Sequence, residues 1–106
     1  MKIVYIVHPI RGDVQGNILK VLSILKKHHT AKIYPFAPYI VSLQYLDDNS
    51  PEDRERGIKA NVELFERDFI DELWVFGDRI SSGMKAEIEL AERLKIPIVY
   101  KHELAG

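Results

Sequence analysis

Hydrophobic and polar residues follow two different patterns along this chain, and segments with one pattern alternate with segments with the other. Short apolar runs, rich in β-branched and aromatic residues, predict buried strands over residues 2–7, 31–34, 72–76 and 96–100. Between them apolar residues recur at helical spacing, which predicts helices over about 14–27, 51–68 and 82–94, and a short helix or turn over 40–46. Ser50 before Pro51 is a strong start signal for the second of these helices.

The helical patterns also predict which positions face the core. In the first helix we expect an apolar stripe made of Ile18, Leu22 and Leu25, widened by Leu19 and Val21. In the helix that begins at residue 82, the expected stripe comprises Ala86, Leu90, Ala91 and Leu94. The second helix has Ile58, Val62, Leu64 and Phe65 as its apolar positions.

Alternating strands and helices predict an α/β fold, with a parallel sheet covered by helices on both faces. We expect a flavodoxin-like or Rossmann-like three-layer sandwich with four to five strands in the order 2-1-3-4. That order brings the loops after strands one and three to the same carboxyl edge of the sheet. Residues 8–13 and 77–83 are therefore expected to share a pocket.

Composition narrows the class of protein. The length of 106 residues predicts one domain over 1–106, and the net charge of −1 gives no reason to expect a nucleic-acid polymer or a membrane as partner. The chain has no cysteine, and its first residues are too short a hydrophobic run for a signal peptide, so a soluble cytoplasmic protein is expected. The histidines lack metal-ligand spacing and the known nucleotide fingerprints are absent, so no metal or cofactor is expected.

The richest candidate chemistry lies between residues 72 and 91, where a buried strand passes through a polar loop into a helix. Open α/β sheets bind ligands at such junctions. Ser81, Ser82 and Gly83 offer a helix cap and free backbone N–H groups, and Glu87 lies about one turn inside the helix. Its carboxylate could attack an electrophile or hold a ribose hydroxyl. The alternative is a solvated helix residue.

The loop after the first strand offers complementary chemistry. Arg11 and Gly12 present a guanidinium and a backbone N–H to an anion, unless Arg11 only pairs with Asp13 on the surface. His8 is a candidate general base or base-stacking group, and Asp78 a candidate for a sugar hydroxyl; both also fit plain loop roles. Tyr5 points either to the pocket or to the core.

The chain resembles the nucleoside 2-deoxyribosyltransferase-like superfamily over nearly its whole length, and two strings of residues carry the resemblance. The first is PIRGDVQGN, residues 9–17, and the second is DELWVFGDRISSGM, residues 71–84, followed by Glu87-Ile88. The resemblance implies a deoxyribosyltransferase or a 2′-deoxynucleoside 5′-phosphate N-hydrolase, with a deoxynucleoside or deoxynucleotide as its small-molecule partner. It also implies at least a homodimer, for which the uncharged run over residues 33–46 is a candidate contact surface.

The resemblance gives roles to individual residues. Glu87 stands at the position of the nucleophile and Tyr5 at that of the tyrosine which orients it. Ile10-Arg11-Gly12 and Ser81 match residues that line a 5′-phosphate site. The substrate-binding candidates from both strings and loops are His8, Ile10, Arg11, Gly12, Asn17, Asp78, Ser81, Ser82, Gly83 and Met84.

The chain also departs from the superfamily. An aspartate near the end of the helix before strand three helps to protonate the leaving base, and here Asp68 or Glu63 could serve. His8-Pro9 replaces small residues, and residues other than glycine flank Glu87. Two alternatives to the enzyme therefore remain: a nucleotide-binding module without turnover, and a structural or interaction protein.

Overall fold

The computed structural model describes residues 1–101, so the last part of the single domain expected over 1–106 lies outside the described residues. The elements follow in the order β1 (Lys2–Val7), α1 (Val14–His28), β2 (Ile33–Phe36), α2 (Tyr39–Ser42), α3 (Pro51–Glu66), β3 (Glu72–Val75), α4 (Ser82–Arg93) and β4 (Ile98–Tyr100). Ser50 caps α3, and its side chain accepts a hydrogen bond from the Asp53 backbone N–H, as the Ser-Pro start signal predicts.

The four strands form one sheet in the order β2-β1-β3-β4, and all neighbouring pairs are parallel. This confirms the α/β class, the strand order and the flavodoxin-like or Rossmann-like three-layer arrangement. One face of the sheet packs against α1, with Val4, Ile6 and Trp74 meeting Val21 and Ile24. The other face packs against α3 and α4 through a cluster of Tyr5, Val7, Leu73, Val75, Phe65, Met84, Ile88 and Ala91.

The strand β2 covers Ile33–Phe36, whereas residues 31–34 were predicted. It therefore includes Pro35, which pairs with Val4. Proline lacks the backbone N–H that a central strand needs, but β2 lies at the edge of the sheet, where proline is tolerated. The strand β4 begins at Ile98, two residues later than predicted, and Lys95, just after α4, takes a positive φ of 61°.

Two predicted apolar stripes were partly wrong. In α1 the buried face consists of Asn17, Ile18, Val21 and Ile24, while Leu19 and Leu22 are exposed. In α4 the buried residues are Met84, Ile88 and Ala91, while Ala86 and Leu94 are exposed. The α4 helix is therefore rotated from its predicted orientation, and the rotation carries the position of Glu87 toward the sheet.

The second helix of the prediction, α3, covers the sheet with only one fully buried side chain, that of Phe65. Its predicted apolar residue Ile58 is exposed, whereas Val62 and Leu64 are half-buried. None of the helices within residues 1–101 is long and apolar enough to cross a membrane.

Candidate active site

Glu87 lies on the inward side of α4, between the buried residues Met84 and Ile88. Its side chain is half-buried, and its Oε2 atom accepts a hydrogen bond of 3.0 Å from the Asn61 amide nitrogen on α3. Glu87 is therefore not a solvated surface residue of α4. Its carboxylate is held between two helices and the sheet.

Tyr5 completes this arrangement from the middle of β1. Its hydroxyl is buried and donates a hydrogen bond of 2.7 Å to Asn61 Oδ1. Because the oxygen of the Asn61 amide accepts from Tyr5, its nitrogen must be the atom that donates to Glu87, which fixes the orientation of the amide. We call Tyr5, Asn61 and Glu87 the carboxylate triad.

Burial decides the electrostatics of the carboxylate triad. Burial raises the pKa of Glu87, and the hydrogen bond from Asn61 opposes that rise. The Tyr5 hydroxyl has one proton, and the 2.7 Å distance assigns it to Asn61 in this arrangement. Burial, followed by the nearby negative charge of Glu87, raises the pKa values of Tyr5 and Tyr39 well above the ordinary range, so both hydroxyls stay protonated.

Asn61 is the member of the triad that the sequence reasoning missed. The predicted acids from this part of the chain do not reach Glu87: Asp68 is exposed in the turn after α3, at a φ of 61°, and Glu63 is exposed and pairs with Arg67 at 2.8 Å. Asn61 precedes the buried Phe65 by four residues, so it shares the inward face of α3. That spacing was the available signal.

The loops after β1 and β3 enclose a separate cleft of about 230 Å³, as their shared edge predicts. Its lining comprises His8, Arg11, Gly12, Asp13, Asn17, Lys20, Gly77, Asp78 and Arg79. The lining does not include Ser81, Ser82, Gly83 or Glu87. The single pocket that was predicted therefore corresponds to two separate sites, the carboxylate triad and this cleft. We call the cleft lined by these residues the basic cleft.

The two loops interlock at the basic cleft. Arg79 donates a hydrogen bond of 2.7 Å to the backbone oxygen of Arg11. Gly77 has a φ of +98°, and a Cβ there would lie 2.6 Å from Cδ of Pro9. Only glycine meets both conditions without strain, so the close approach of the loops depends on residue 77.

Arg11 has a different partner from the one considered in the sequence. Its Nη2 and Nε atoms donate to Asp48 Oδ2 at 2.9 and 3.2 Å, and both side chains are exposed. Asp13 instead caps α1 by accepting a hydrogen bond of 3.1 Å from the Gly16 backbone N–H. The Arg11–Asp13 alternative was therefore wrong. An exposed pair of this kind contributes little stability, so a ligand can compete for Arg11.

Three other predicted contact residues have structural roles. Asn17 is buried and its amide donates to the Ile10 backbone oxygen at 2.8 Å, which holds the first loop. Ser81 caps α4 by accepting from the Met84 backbone N–H at 3.3 Å, and Met84 is buried in the core. Ser82 and Gly83 are exposed in the first turn of α4, and a Cβ at Gly83 would meet no heavy atom within 4 Å.

The described residues, 1–101, contain no group of three or more histidine, aspartate or glutamate side chains that could hold a metal ion. Comparison with curated proteins gave no match. A family model for a domain of unknown function, DUF7768, matches residues 2–101. The chain therefore belongs to the DUF7768 family.

Proposed function

We propose that this protein cleaves the N-glycosidic bond of a deoxynucleoside or a deoxynucleoside 5′-monophosphate, with Glu87 as the nucleophile. The observation that carries the proposal is the carboxylate triad: a half-buried carboxylate, held by an amide of fixed orientation, on the helix that follows β3. A side chain fixed in this way loses little entropy on reaching a reactive geometry.

The chemistry proceeds in two displacements. Because Asn61 holds Oε2 of Glu87, Oε1 is the oxygen that attacks the anomeric carbon of the sugar. The carbon–nitrogen bond breaks, the base leaves with the electron pair and gains a proton, and a glycosyl ester forms on Glu87. Attack by water, or by a second base, then releases the sugar and restores the carboxylate.

Two features of the triad serve this reaction. The ionised form of Glu87 is the nucleophile, and the hydrogen bond from Asn61 favours that form against the effect of burial. Asn61 has no acidic proton to give the leaving base, so within the triad it positions Glu87 and does not act as general acid.

The test is to incubate the protein with a panel of deoxynucleosides and their 5′-monophosphates and to measure free base. We expect Glu87→Gln to lower base release by several orders of magnitude while nucleotide binding persists. Arg11→Ala should weaken the binding of monophosphates much more than that of nucleosides. An active Glu87→Gln variant would remove the nucleophile assignment.

The second candidate is a nucleotide-binding module without turnover. It is favoured by the separation of the basic cleft from Glu87 and by the amide at position 61, which supplies no acid for the leaving base. Thermal stabilisation by a nucleotide without release of base would support this candidate over the enzyme.

We also propose a cytoplasmic homodimer. Val41 and Tyr45, in and just after α2, are 65% and 70% exposed, and Ile58 on the neighbouring α3 is 57% exposed. Exposed apolar side chains grouped in this way are typical of protein interfaces. Light scattering at micromolar concentration should give twice the monomer mass, and Tyr45→Glu should reduce it. A monomeric wild-type protein would contradict this assembly.

A further inference from the structure

The two edges of the sheet, β2 and β4, differ in how their outer backbone groups are bonded. At β2, the Lys2 backbone N–H donates to the Lys32 backbone oxygen. Because the bonding positions alternate along a strand, Ile33 and Pro35 face outward. The Ile33 N–H donates to Thr30 Oγ1 at 3.1 Å, and the Ile33 oxygen accepts from the Thr30 N–H at 3.0 Å. Since Pro35 has no N–H to donate, the β2 edge is closed to a further strand.

The β4 edge has no such closure at Ile98. The Lys101 backbone N–H donates to the Val75 backbone oxygen at 2.8 Å, so position 101 faces β3. By the same alternation, Ile98 and Tyr100 turn their backbone groups away from β3. The N–H and C=O groups of Ile98 have no hydrogen-bond partner among residues 1–101. An edge strand with unpaired groups of this kind can bond another strand.

The side chains around β4 do not protect this edge. Lysine on an edge strand commonly prevents pairing, but Nζ of Lys101 lies 4.0 Å from the centre of the Trp74 ring. Trp74 belongs to the sheet face that α1 covers, so the ammonium group is held over that face. Tyr100 is 46% exposed, and with the exposed Ile80 it lines a cavity of about 100 Å³. The edge therefore combines an unpaired backbone at Ile98 with exposed apolar side chains.

The sequence of β4 is complementary to itself. A two-fold axis perpendicular to the sheet at Val99 aligns two β4 strands antiparallel. Ile98 of one copy then lies opposite Tyr100 of the other, which is a favourable pair of a β-branched and an aromatic residue. Val99 lies opposite its own counterpart. Lys101 lies opposite the uncharged Pro97, so no like charges face each other across the pair.

We propose that β4 pairs antiparallel with β4 of a second copy of this chain, centred on Val99, and so joins the two four-stranded sheets into one. This contact is separate from the surface around Val41 and Tyr45 in the proposed homodimer, and it requires no reaction at Glu87. Three residues on each side are few beside the roughly 20–30 of a stable interface. The pairing is therefore weak, and it adds to the proposed homodimer as the protein concentration rises.

The experiment introduces one cysteine into a chain that has none, so that each disulfide reports a single contact. Val99→Cys faces itself in a non-hydrogen-bonded pair, where the two Cα atoms are about 4.5 Å apart. The control is Tyr34→Cys on the closed β2 edge. Under mild oxidation we expect at least about tenfold more linked dimer from Val99→Cys, because a disulfide needs Cα atoms within about 7 Å. Tyr34 is exposed and Val99 half-buried, so random collisions favour the control, and equal yields would overturn the proposal.

The register is tested by mixing two further variants, Ile98→Cys and Tyr100→Cys. In the proposed register position 98 of one copy lies opposite position 100 of the other, so the mixture should form mixed disulfides in excess of either homodimer. Predominant linkage of each variant to itself would overturn the antiparallel register about Val99. Thermal unfolding of each reduced variant shows that the chain is folded before oxidation.

Two second substitutions in Val99→Cys separate the β4 contact from the proposed homodimer. Tyr100→Lys places a charge on the edge opposite Ile98 of the other copy, and it should lower the yield of linked dimer several-fold. Tyr45→Glu disrupts the surface of the proposed homodimer and should leave the yield unchanged. An unchanged yield with Tyr100→Lys, or a yield lost with Tyr45→Glu, would contradict an independent contact at β4. Because cross-linking needs no base release, failure of the proposed reaction leaves this test intact.

Discussion

The carboxylate triad and the basic cleft both draw residues from the chain segments that contain or follow β1 and β3, yet they are built in opposite ways. In the triad, Tyr5, Asn61 and Glu87 satisfy one another through two short hydrogen bonds. In the cleft, His8 and Lys20 offer polar atoms without partners among residues 1–101. The triad pairs its polar groups with one another, whereas the cleft keeps polar groups that are not paired in this way.

The difference follows from which elements supply the residues. Glu87 and Asn61 project from the inward faces of two helices and Tyr5 from the middle of a strand, where close packing leaves each side chain one position. The lining of the cleft comes mainly from two loops and the exposed side of α1. Loops on a rigid scaffold are common places for binding residues, because their polar groups are not used by secondary structure.

The largest effect is expected at Asn61. Asn61→Leu removes the amide that holds Glu87 and leaves its Oε2 atom without that donor, so we expect base release to fall about 10- to 100-fold. Asn61→Asp puts a second carboxylate beside Glu87, which should raise the pKa of Glu87 further and move the acidic limb of the pH–rate profile to higher pH. An unchanged profile in Asn61→Asp would show that residue 61 does not position Glu87.

The loop between β3 and α4 leads from one region to the other, and Gly77 in the loop and Gly83 in the first turn of α4 provide a contrast in stability. Gly77→Ala should destabilise the protein by about 1–3 kcal/mol, because alanine at a φ of +98° is strained and its Cβ would clash with Pro9. Gly83→Ala should change stability by less than about 0.5 kcal/mol or increase it, since the space there is open. Urea unfolding of both variants measures this contrast, and equal losses would contradict it.

A smaller effect on stability is expected from the titration of Glu87 in the carboxylate triad. Because the folded-state pKa of Glu87 is raised above the ordinary value of 4.5, the folded protein binds this proton more tightly than the unfolded chain. Its contribution to stability is fully present below pH 4.5 and is lost as the pH rises through the raised pKa.

Glu87→Gln should remove that part of the pH dependence and gain stability relative to wild type as the pH rises from 4 to 7. The control is Glu89→Gln, an exposed position on the same helix. Thermal unfolding across this pH range measures both variants. A Glu87→Gln curve parallel to that of the wild type would mean that the carboxylate is not desolvated.

The smallest effect is expected at the rim of the basic cleft. Asp48→Asn removes the exposed partner of Arg11, so stability should change by about 1 kcal/mol or less. Freed from Asp48, Arg11 should strengthen phosphate binding by about fivefold or less, a gain that isothermal calorimetry can measure. Weaker binding in this variant would show that Asp48 positions Arg11 for the ligand.

The sequence predicted the architecture well because every strand and helix carries its own local pattern. Apolar runs located the four strands, and Ser50-Pro51 located the start of α3. The position of Glu87 was also readable, since it depends only on the distance from the loop to the helix. Its inward orientation was not, because α4 packs through Met84 and Ile88 and not through the predicted Ala86 and Leu94.

Asn61, Lys20 and Arg79 escaped prediction for a common physical reason. Each reaches its site only through the packing of elements that are distant in the chain: Asn61 through α3 against α4, and Lys20 through α1 beside the loop after β3. A periodic pattern shows which face of a helix is buried, but it does not show which residue of another element meets that face. Arg79 was not among the predicted contact residues, although its side chain joins the two loops.

The bond from Arg79 to the backbone of Arg11 has a thermodynamic consequence. It ties the loop after β1, which carries Arg11, to the loop that leads directly into α4 and Glu87. A ligand that changes the free energy of this hydrogen bond from one loop would also change the free energy of ligand binding at the other loop. We therefore expect reciprocity: the factor by which an anion in the cleft changes sugar binding beside Glu87 equals the factor by which the sugar changes anion binding.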